Sequence, residues 1–377
     1  MRLSCLQENL SSGLGVVGRA VATRSPLPIT QNVLIQTDQS RLKLAATNTE
    51  IAITTWIGSQ IEDEGSITVP ARLFTELVNS LPAERIDIES ISAGTGISVK
   101  CSRVDSNVNG IDAEEFPPIP SIDDGIVGKI EPGVLLDAIS RVAFAAATED
   151  SRPVLTGIKV EIEGDNFTFA AADGFRLAVY KGKLAEPLSE DTEFIIPARS
   201  LQEISRLVSG SRELVEFTVT SNKSAALFRL ADTEIVTQLL QGTFPNYSQL
   251  IPESHDNRAT MNRGDLSSAA RSASIFARDG SGIVRIMVDA SPDGGPGKLS
   301  ISSRAEEVGD HQGDVDANVE GDDAKIAFNS KYLLDVLEVM SESEVALETT
   351  TPSSPGVLRP VDNDNYVHVI MPMFVQW

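Results

Sequence analysis

Thr68-Val69-Pro70-Ala71-Arg72-Leu73-Phe74-Thr75-Glu76-Leu77 returns as Ile195-Ile196-Pro197-Ala198-Arg199-Ser200-Leu201-Gln202-Glu203-Ile204. It returns again, in weaker form, as Ala327-Phe328-Asn329-Ser330-Lys331-Tyr332-Leu333-Leu334-Asp335-Val336. Pro70, Pro197 and Asn329 mark the same place in each copy and lie 127 and 132 residues apart. Self-similarity at a fixed period is read before any local pattern, because it decides the architecture. Two further landmarks run collinear with the first. Leu42-Lys43-Leu44-Ala45-Ala46-Thr47-Asn48 matches Phe167-Thr168-Phe169-Ala170-Ala171-Ala172-Asp173 at an offset of 125, and Leu299 to Ala305 follows at 132. Phe116-Pro117, Phe244-Pro245 and Met371-Pro372 close the copies at offsets of 128 and 127. Three collinear similarities at nearly constant spacing are not chance, and they divide the chain into 1–122, 123–253 and 254–377.

Within a copy the periodicity changes in a fixed order. A strand leads to a helix, shown best by Pro132 to Ala143, where Pro132 suits the first helical turn and Leu135, Leu136, Ile139, Val142 and Ala143 form an apolar stripe. Alternating strands follow, Gly157 to Ile162 and Phe167 to Ala171. The Pro-Ala-Arg stretch opens a second helix, with Leu201, Ile204 and Leu207/Val208 on one side. A hairpin, Val215 to Thr220 and Ala225 to Leu230, turns at Ser221-Asn222-Lys223 and ends the copy. Two helices with several antiparallel strands per copy give an α+β fold of three repeated domains, helices on one sheet face. A period of this length is too long for a solenoid of ~20–50-residue repeats.

The 377 residues carry 31 Lys+Arg against 54 Asp+Glu, a formal charge of −23. That balance argues against a protein that grips nucleic acid through a generally basic surface. Cys5 and Cys101 are too few for a disulfide framework or a four-Cys zinc site and read as buried free thiols in a reducing compartment. The N-terminus turns polar at once and no apolar run approaches ~18 residues, so neither a signal peptide nor a membrane span is expected and the location expected is cytoplasmic. His255, His311 and His368 stand apart from one another, Gly13-Leu14-Gly15 sits in a helical pattern, and Asp173-Gly174-Phe175 reads as a turn. No nucleophile–base pair, metal-ligand spacing or phosphate loop emerges, so no enzyme activity, cofactor or metal is expected.

The basic residues follow the repeat. Arg199 and Arg206 lie seven apart on the second helix of the middle copy, away from its apolar stripe. Arg271 and Arg278 repeat that spacing on the first helix of the third copy; Arg19 and Arg141 fall on first helices, Arg72 and Lys331 on second helices. Solvated helix faces with local ion pairs explain each case alone. Recurrence at equivalent places also fits one shared basic surface facing a polyanion such as a DNA backbone, which would read charge rather than sequence. Arg285 to Lys325, with a turn at Asp293-Gly294-Gly295-Pro296-Gly297, reads mostly as exposed hairpins.

Several stretches carry a resemblance over essentially the whole chain: Ala171-Ala172-Asp173-Gly174-Phe175-Arg176-Leu177-Ala178, Arg152-Pro153-Val154-Leu155-Thr156-Gly157, Phe244-Pro245-Asn246-Tyr247 with Ile251-Pro252, and Val369-Ile370-Met371-Pro372-Met373. With the threefold repeat, the chain resembles the bacterial DNA polymerase III β subunits, the β sliding clamps. The resemblance implies a non-catalytic processivity factor, a head-to-tail homodimeric ring that encircles double-stranded DNA with helices lining the hole. It implies partner peptides from the replicative polymerase, the clamp loader and repair proteins. Arg24, Arg72, Arg152 and Arg199 match family positions facing DNA; helix position adds Arg141, Arg206 and Arg271. Ile275 and Phe276 fall where the family has its dimer contact, although an intradomain core remains an alternative for them as residues alone. The peptide pocket carries over to Leu155, Ala172, Gly174, Phe175, Arg176, Leu177, Pro245, Gln249, Leu250, Val369, Met371, Pro372 and Met373. Of these, Leu155, Leu177, Leu250 and Val369 fit plain core as well. The chain departs from the family at Phe175, often His, at Ala172, often a hydroxyl residue, and at Gln249, often Arg. The ending Phe374-Val375-Gln376-Trp377 stands where a short Arg-Leu is usual. A less polar pocket is the expected consequence.

Overall fold

The computed structural model describes residues 1–377 apart from 24–25, 92–94, 123, 150, 279 and 291–296. In the first repeat β1 (Arg2–Leu6) leads into α1 (Gln7–Val17), followed by β2 (Asn32–Asp38), β3 (Arg41–Thr47), β4 (Ile51–Gly58), β5 (Gln60–Asp63), β6 (Ser66–Pro70), α2 (Ala71–Ser80), β7 (Arg85–Ser90), β8 (Gly96–Cys101) and β9 (Val104–Asn109). The second holds β10 (Ile126–Ile130), α3 (Pro132–Val142), β11 (Gly157–Glu163), β12 (Asn166–Ala172), β13 (Arg176–Lys183), β14 (Thr192–Pro197), α4 (Ala198–Val208), β15 (Val215–Val219), β16 (Ala225–Leu230) and β17 (Thr233–Gln238). The third holds β18 (Asn257–Asn262), α5 (Arg263–Arg278), β19 (Ile283–Asp289), β20 (Gly297–Ala305), β21 (Gly309–Gly321), β22 (Ala324–Asn329), α6 (Ser330–Val339), β23 (Glu344–Thr349), β24 (Gly356–Pro360) and β25 (Tyr366–Ile370).

The Pro-Ala-Arg stretch is thus a strand-to-helix junction. In the first copy Ala71, Phe74 and Val78 bury the inner face of α2, while Arg72 and Glu76 pair on the outer face at 3.0 Å. The third copy replaces proline by Asn329, whose side chain accepts the Lys331 N–H at 2.9 Å and caps α6. The helices cover the sheets: α1 packs across β3 and β4, and α5 across β19, β20 and β21. The Ser303 hydroxyl donates to the Ala273 carbonyl at 2.7 Å and ties α5 to β20.

By contacts the chain forms two units, and the cut passes through the middle repeat. The first unit comprises Met1–Pro132, Leu184–Glu190 and Arg199–Leu239. It holds a five-stranded sheet, β5-β1-β7-β8-β9, and an eight-stranded one, β10-β15-β16-β17-β4-β3-β2-β6. The second unit comprises Gly133–Lys183, Asp191–Ala198 and Leu240–Trp377, and holds one twelve-stranded sheet, β14-β11-β12-β13-β25-β24-β23-β18-β21-β20-β19-β22. The middle repeat therefore gives half its strands to each sheet. β4 pairs with β17, Ala52 opposite Val236 and Ile53 opposite Ile235. β13 pairs with β25 in the same way, Leu177 opposite Val369 and Ala178 opposite His368. In repeat terms these are one joint made twice: the fourth strand of one copy against the last strand of the next. Both joints have a buried apolar centre, Ala52, Ile53, Ile235 and Val236 in one and Leu177, Val179, Val367 and Val369 in the other, which fixes their register.

Two edges remain. Among the described residues β9 pairs only with β8. β21 pairs with β20 along Gly309–Ala317 but with β18 only at Ala317–Gly321, so its first half is open on one side. The Arg285–Lys325 stretch corrects the expectation of exposed hairpins. Its strands bury one face, with Ile286, Val288, Leu299, Ile301, Val315 and Ala317 inside, because they are central strands under α5. The turn expected at 293–296 lies outside the described residues. Cys5 and Cys101 are free and buried, and burial, aided by Asp87, pushes the Cys5 thiol up to about 12.

Candidate functional site

The second unit contains a cavity of about 580 Å³ where the turn after β12 meets the start of α6. Asp173, Gly174, Phe175, Arg176, Leu155, Arg152 and Tyr332 line it, with Ala146 to Glu149, Ser151 and Lys331. The Asp173 carboxylate builds the turn by accepting the N–H groups of Phe175 at 2.9 Å and Arg176 at 3.0 Å. Gly174 has φ +92°, a conformation a side chain strains to adopt. The turn projects Phe175, which is 59% exposed.

Arg176 forms the floor. Its Nε donates to Asp173 at 3.0 Å, Nη1 to Asp335 on α6 at 2.6 Å, and Nη2 to the Phe144 carbonyl at 2.7 Å. The guanidinium also sits 4.5 Å from the Tyr332 ring centroid and 5.3 Å from that of Phe144. Its charge is spoken for, so Arg176 shapes the cavity rather than offering an ion to a ligand.

The remaining expected pocket residues divide by burial. Ala172, Leu177 and Val369 belong to an apolar cluster with Val179, Val357 and Val367, against which Tyr247 and Ile251 pack. Leu155 packs with Ile195 and Phe244, again beside Tyr247. Tyr247 joins the two clusters, and burial together with the hydrogen bond to Glu161 holds its phenol well above the ordinary range. The core alternative thus describes Leu177 and Val369 well, Leu155 partly, and Leu250 not at all: Leu250 is exposed, like Pro245 and Gln249. None of Pro245, Gln249 and Leu250 lines the cavity. Met371 donates its N–H to the Phe175 carbonyl at 2.8 Å and so borders the turn, while Pro372 and Met373 are half-buried. The sequence reading missed Asp173, Tyr332 and Asp335. Asp-Gly before Phe175 was the available signal for the first; nothing local announces a partner on α6.

The basic residues are placed differently from one another. In the first unit Arg72, Arg199 and Arg206 are exposed, Arg206 pairing with Glu203, which also meets Arg19 at 3.4 Å. In the second unit Arg152 and Arg271 are exposed. Arg24 lies outside the described residues. Arg141 is a correction. Its residue surface is 2% exposed, and its donors go to Asp137 at 2.7 Å, to both Glu342 oxygens at 3.1 and 3.0 Å, and to the Ser341 hydroxyl at 3.0 Å. Burial opposes the charged Glu342 carboxylate, but the Arg141 bonds outweigh it and hold its pKa below the ordinary value. Arg141 is a strut between α3 and the loop after α6, with no face left for DNA.

The comparisons decide the family. The sequence matches the DNA polymerase III beta subunit in three successive parts: the N-terminal domain over residues 1–120, the central domain over 129–246 and the C-terminal domain over 248–374. The chain belongs to the DNA polymerase III beta subunits, the beta sliding clamps. It is 30% identical to the beta sliding clamp of Synechococcus elongatus over 380 residues, 99% of each chain. It is 28% identical to that of Bacillus subtilis over 382 residues, also 99% of each. Among solved structures it resembles the Bacillus subtilis sliding clamp with a TM-score of 0.94 at 28% identity, and the Pseudomonas aeruginosa clamp bound to griselimycin with a TM-score of 0.89 at 27% identity, each covering 100% of both chains.

Two further features belong to this beta subunit's own chain. Ile275 is 56% exposed on α5, whereas Phe276 stacks on His311 with ring centroids 5.7 Å apart. The ending is anchored: Met373 donates its N–H to the Ala327 carbonyl at 2.8 Å, and the Lys325 ammonium lies 5.3 Å from the Trp377 ring centroid. Phe374 between them is 90% exposed.

Proposed function

We propose that this chain closes head to tail with a second copy into a ring around duplex DNA, its domains being 1–122, 123–253 and 254–377. In that ring it is not a catalyst. It tethers the replicative polymerase, the clamp loader and repair proteins by short peptides bound at the Phe175 cavity, which raises their effective concentration on DNA.

The repeated strand joint carries this reading. The β4–β17 and β13–β25 pairings leave one equivalent pair over, the first half of β21 and the edge strand β9. These two strands belong to the first and third repeats of one chain, so a second copy satisfies both, a heterologous contact that closes after one rotation. The equivalence supplies the register: Asn107 opposite Asp310, Ser106 opposite His311, and Asp105 opposite Gln312. At these places the joints within the chain hold mostly Ala, Ile, Leu and Val, with Thr54, Glu234 and His368 the exceptions. A polar third joint suits a ring that must open to admit DNA. Ile275 and Phe276 stand beside it on α5.

Exposed Arg72, Arg152, Arg199, Arg206 and Arg271 suit contact with phosphates without base readout, which lets a ring slide. No helix of the described residues is long and apolar enough to cross a membrane, and replication of bacterial DNA places the work in the cytoplasm.

The test is a cysteine pair. Opposed residues on antiparallel strands have Cβ atoms about 4.5–5.5 Å apart. Asn107→Cys with Asp310→Cys should give a covalent dimer on mild oxidation, whereas Asn107→Cys with Gly313→Cys should not. Monomer alone, or equal yields from both pairs, would refute the joint.

A further inference from the structure

We propose that closure of the ring is linked to a proton: the joint between copies shuts over a neutral His311, so the dimer loosens as the pH falls. The inference rests on the ring reading above and adds what governs its closing.

The equivalence of the joints places His311. Its position on β21, with Ser106 of the second copy opposite, corresponds to Ile53 opposite Ile235 in the first joint and to Ala178 opposite His368 in the second. All four of those residues have 0% exposure, and they form the most deeply buried pair of each joint. His311 is only half-buried in the single chain, where its joint is open. A second copy in the same register takes away the water it still has.

The second joint shows what such a place does to an imidazole. His368 stacks on Phe144, just after α3, with ring centroids 5.4 Å and planes 22° apart. His311 stacks on Phe276, near the end of α5, at 5.7 Å and 15°. Each stack ties the first helix of a repeat to a joint. In both rings Nε2 is buried with no hydrogen-bond partner among the described residues. In the closed joint, burial together with the Arg176 charge pushes His368 down to about 3. A cation there has lost its water and meets no carboxylate in return. Ser106 of the second copy brings one hydroxyl, which serves a neutral imidazole as well as a charged one.

The charges around His311 mostly act the same way. Arg285 and Arg304 line with it a cavity of about 420 Å³ that Val375 borders, and both oppose a further positive charge. Arg278 follows Phe276 on α5. Asp310 lines the cavity too, but it faces Arg304 across the strands. Strand alternation turns Asp310, and Asp105 of the second copy, to the sheet face opposite the imidazole. Glu306 and Glu307 in the turn before β21 are exposed, where water and salt screen them. The sign follows. The free chain gains a proton at His311 as the pH falls through the range where histidine titrates, and the closed ring does not. Affinity is therefore full at high pH and lost at low pH.

Sedimentation equilibrium of wild type, His311→Phe and His311→Leu at pH 7.5 and 5.5 tests this. Both variants fill the place with an apolar side chain that carries no proton. His368 is present in all three proteins, so its effect cancels. Two joints close one ring and two imidazoles count, so wild type should lose at least about tenfold more dimer affinity than either variant. Equal pH dependence in wild type and variants overturns the proton link and leaves the ring standing. So does a wild-type affinity that is unchanged or higher at pH 5.5, whatever the variants do. Wild type that stays monomeric at pH 7.5 overturns the ring reading and the link with it.

Discussion

Lowering the pH from 7 to 5 should weaken the second unit through one residue, His368. It stands on β25 opposite Ala178 in the joint to β13, with no exposed surface. Its ring stacks on Phe144 at 5.4 Å, Nδ1 lies 3.4 Å from the Tyr366 hydroxyl, and Nε2 has no partner among the described residues. Burial, with the Arg176 charge adding to it, pushes the imidazole pKa down to about 3. The unfolded chain takes up a proton as the pH falls through about 6.5, while the folded chain stays neutral until about 3, so stability is whole above the first value and drains away below it. Proton linkage puts the loss between pH 7 and pH 5 at about 2 kcal/mol. The assay is urea unfolding of wild type and His368→Phe at both pH values, because other groups titrate in both proteins and the difference isolates the imidazole. Wild type should lose about 2 kcal/mol more than the variant. Equal losses in the two proteins would refute a neutral, dry His368.

Three other outcomes follow from the same geometry. Arg141→Met strands Asp137 and Glu342 without their cation and should cost about 3–5 kcal/mol in chemical denaturation, whereas Arg206→Ala on an exposed helix face should stay within about 0.5 kcal/mol. Gly174→Ala forces a side chain into φ +92° and should lower stability by about 1–2 kcal/mol while weakening peptide binding measured by anisotropy. Alanine at Arg72, Arg199 or Arg271 should flatten the dependence of log K on log salt for DNA by about 0.9 for each phosphate no longer neutralised, with no change in sequence preference.

The sequence and the structure agree where the information is local. The Pro-Ala-Arg junctions, the buried stripe of α3 and the Ser221 hairpin follow from periodicity and turn chemistry, and all stand where they were read. Agreement fails where a distant element decides. Arg141 has the helix position of an exposed residue, yet Glu342, 201 residues away, covers and binds it. Leu177 and Val369 read equally as pocket or core, because strand pairing between repeats, not their own spacing, buries them. Arg176 has the sequence position of a ligand-facing cation, and Asp335 of α6 holds it instead. The strand joints leave no mark in the sequence beyond ordinary alternation, so the open edges of β9 and β21 are visible only in the structure. The ending past Met373 was legible only as a departure; its place between two cavities was not.

The central claim is topological, and one measurement addresses it directly. The protein is loaded onto nicked circular DNA with a clamp loader, washed in high salt, and counted before and after a restriction cut. A ring held by enclosure stays on the circle in salt and leaves once the DNA has ends. Loss in salt from the intact circle, or equal retention on cut and uncut DNA, would contradict a clamp that encircles DNA.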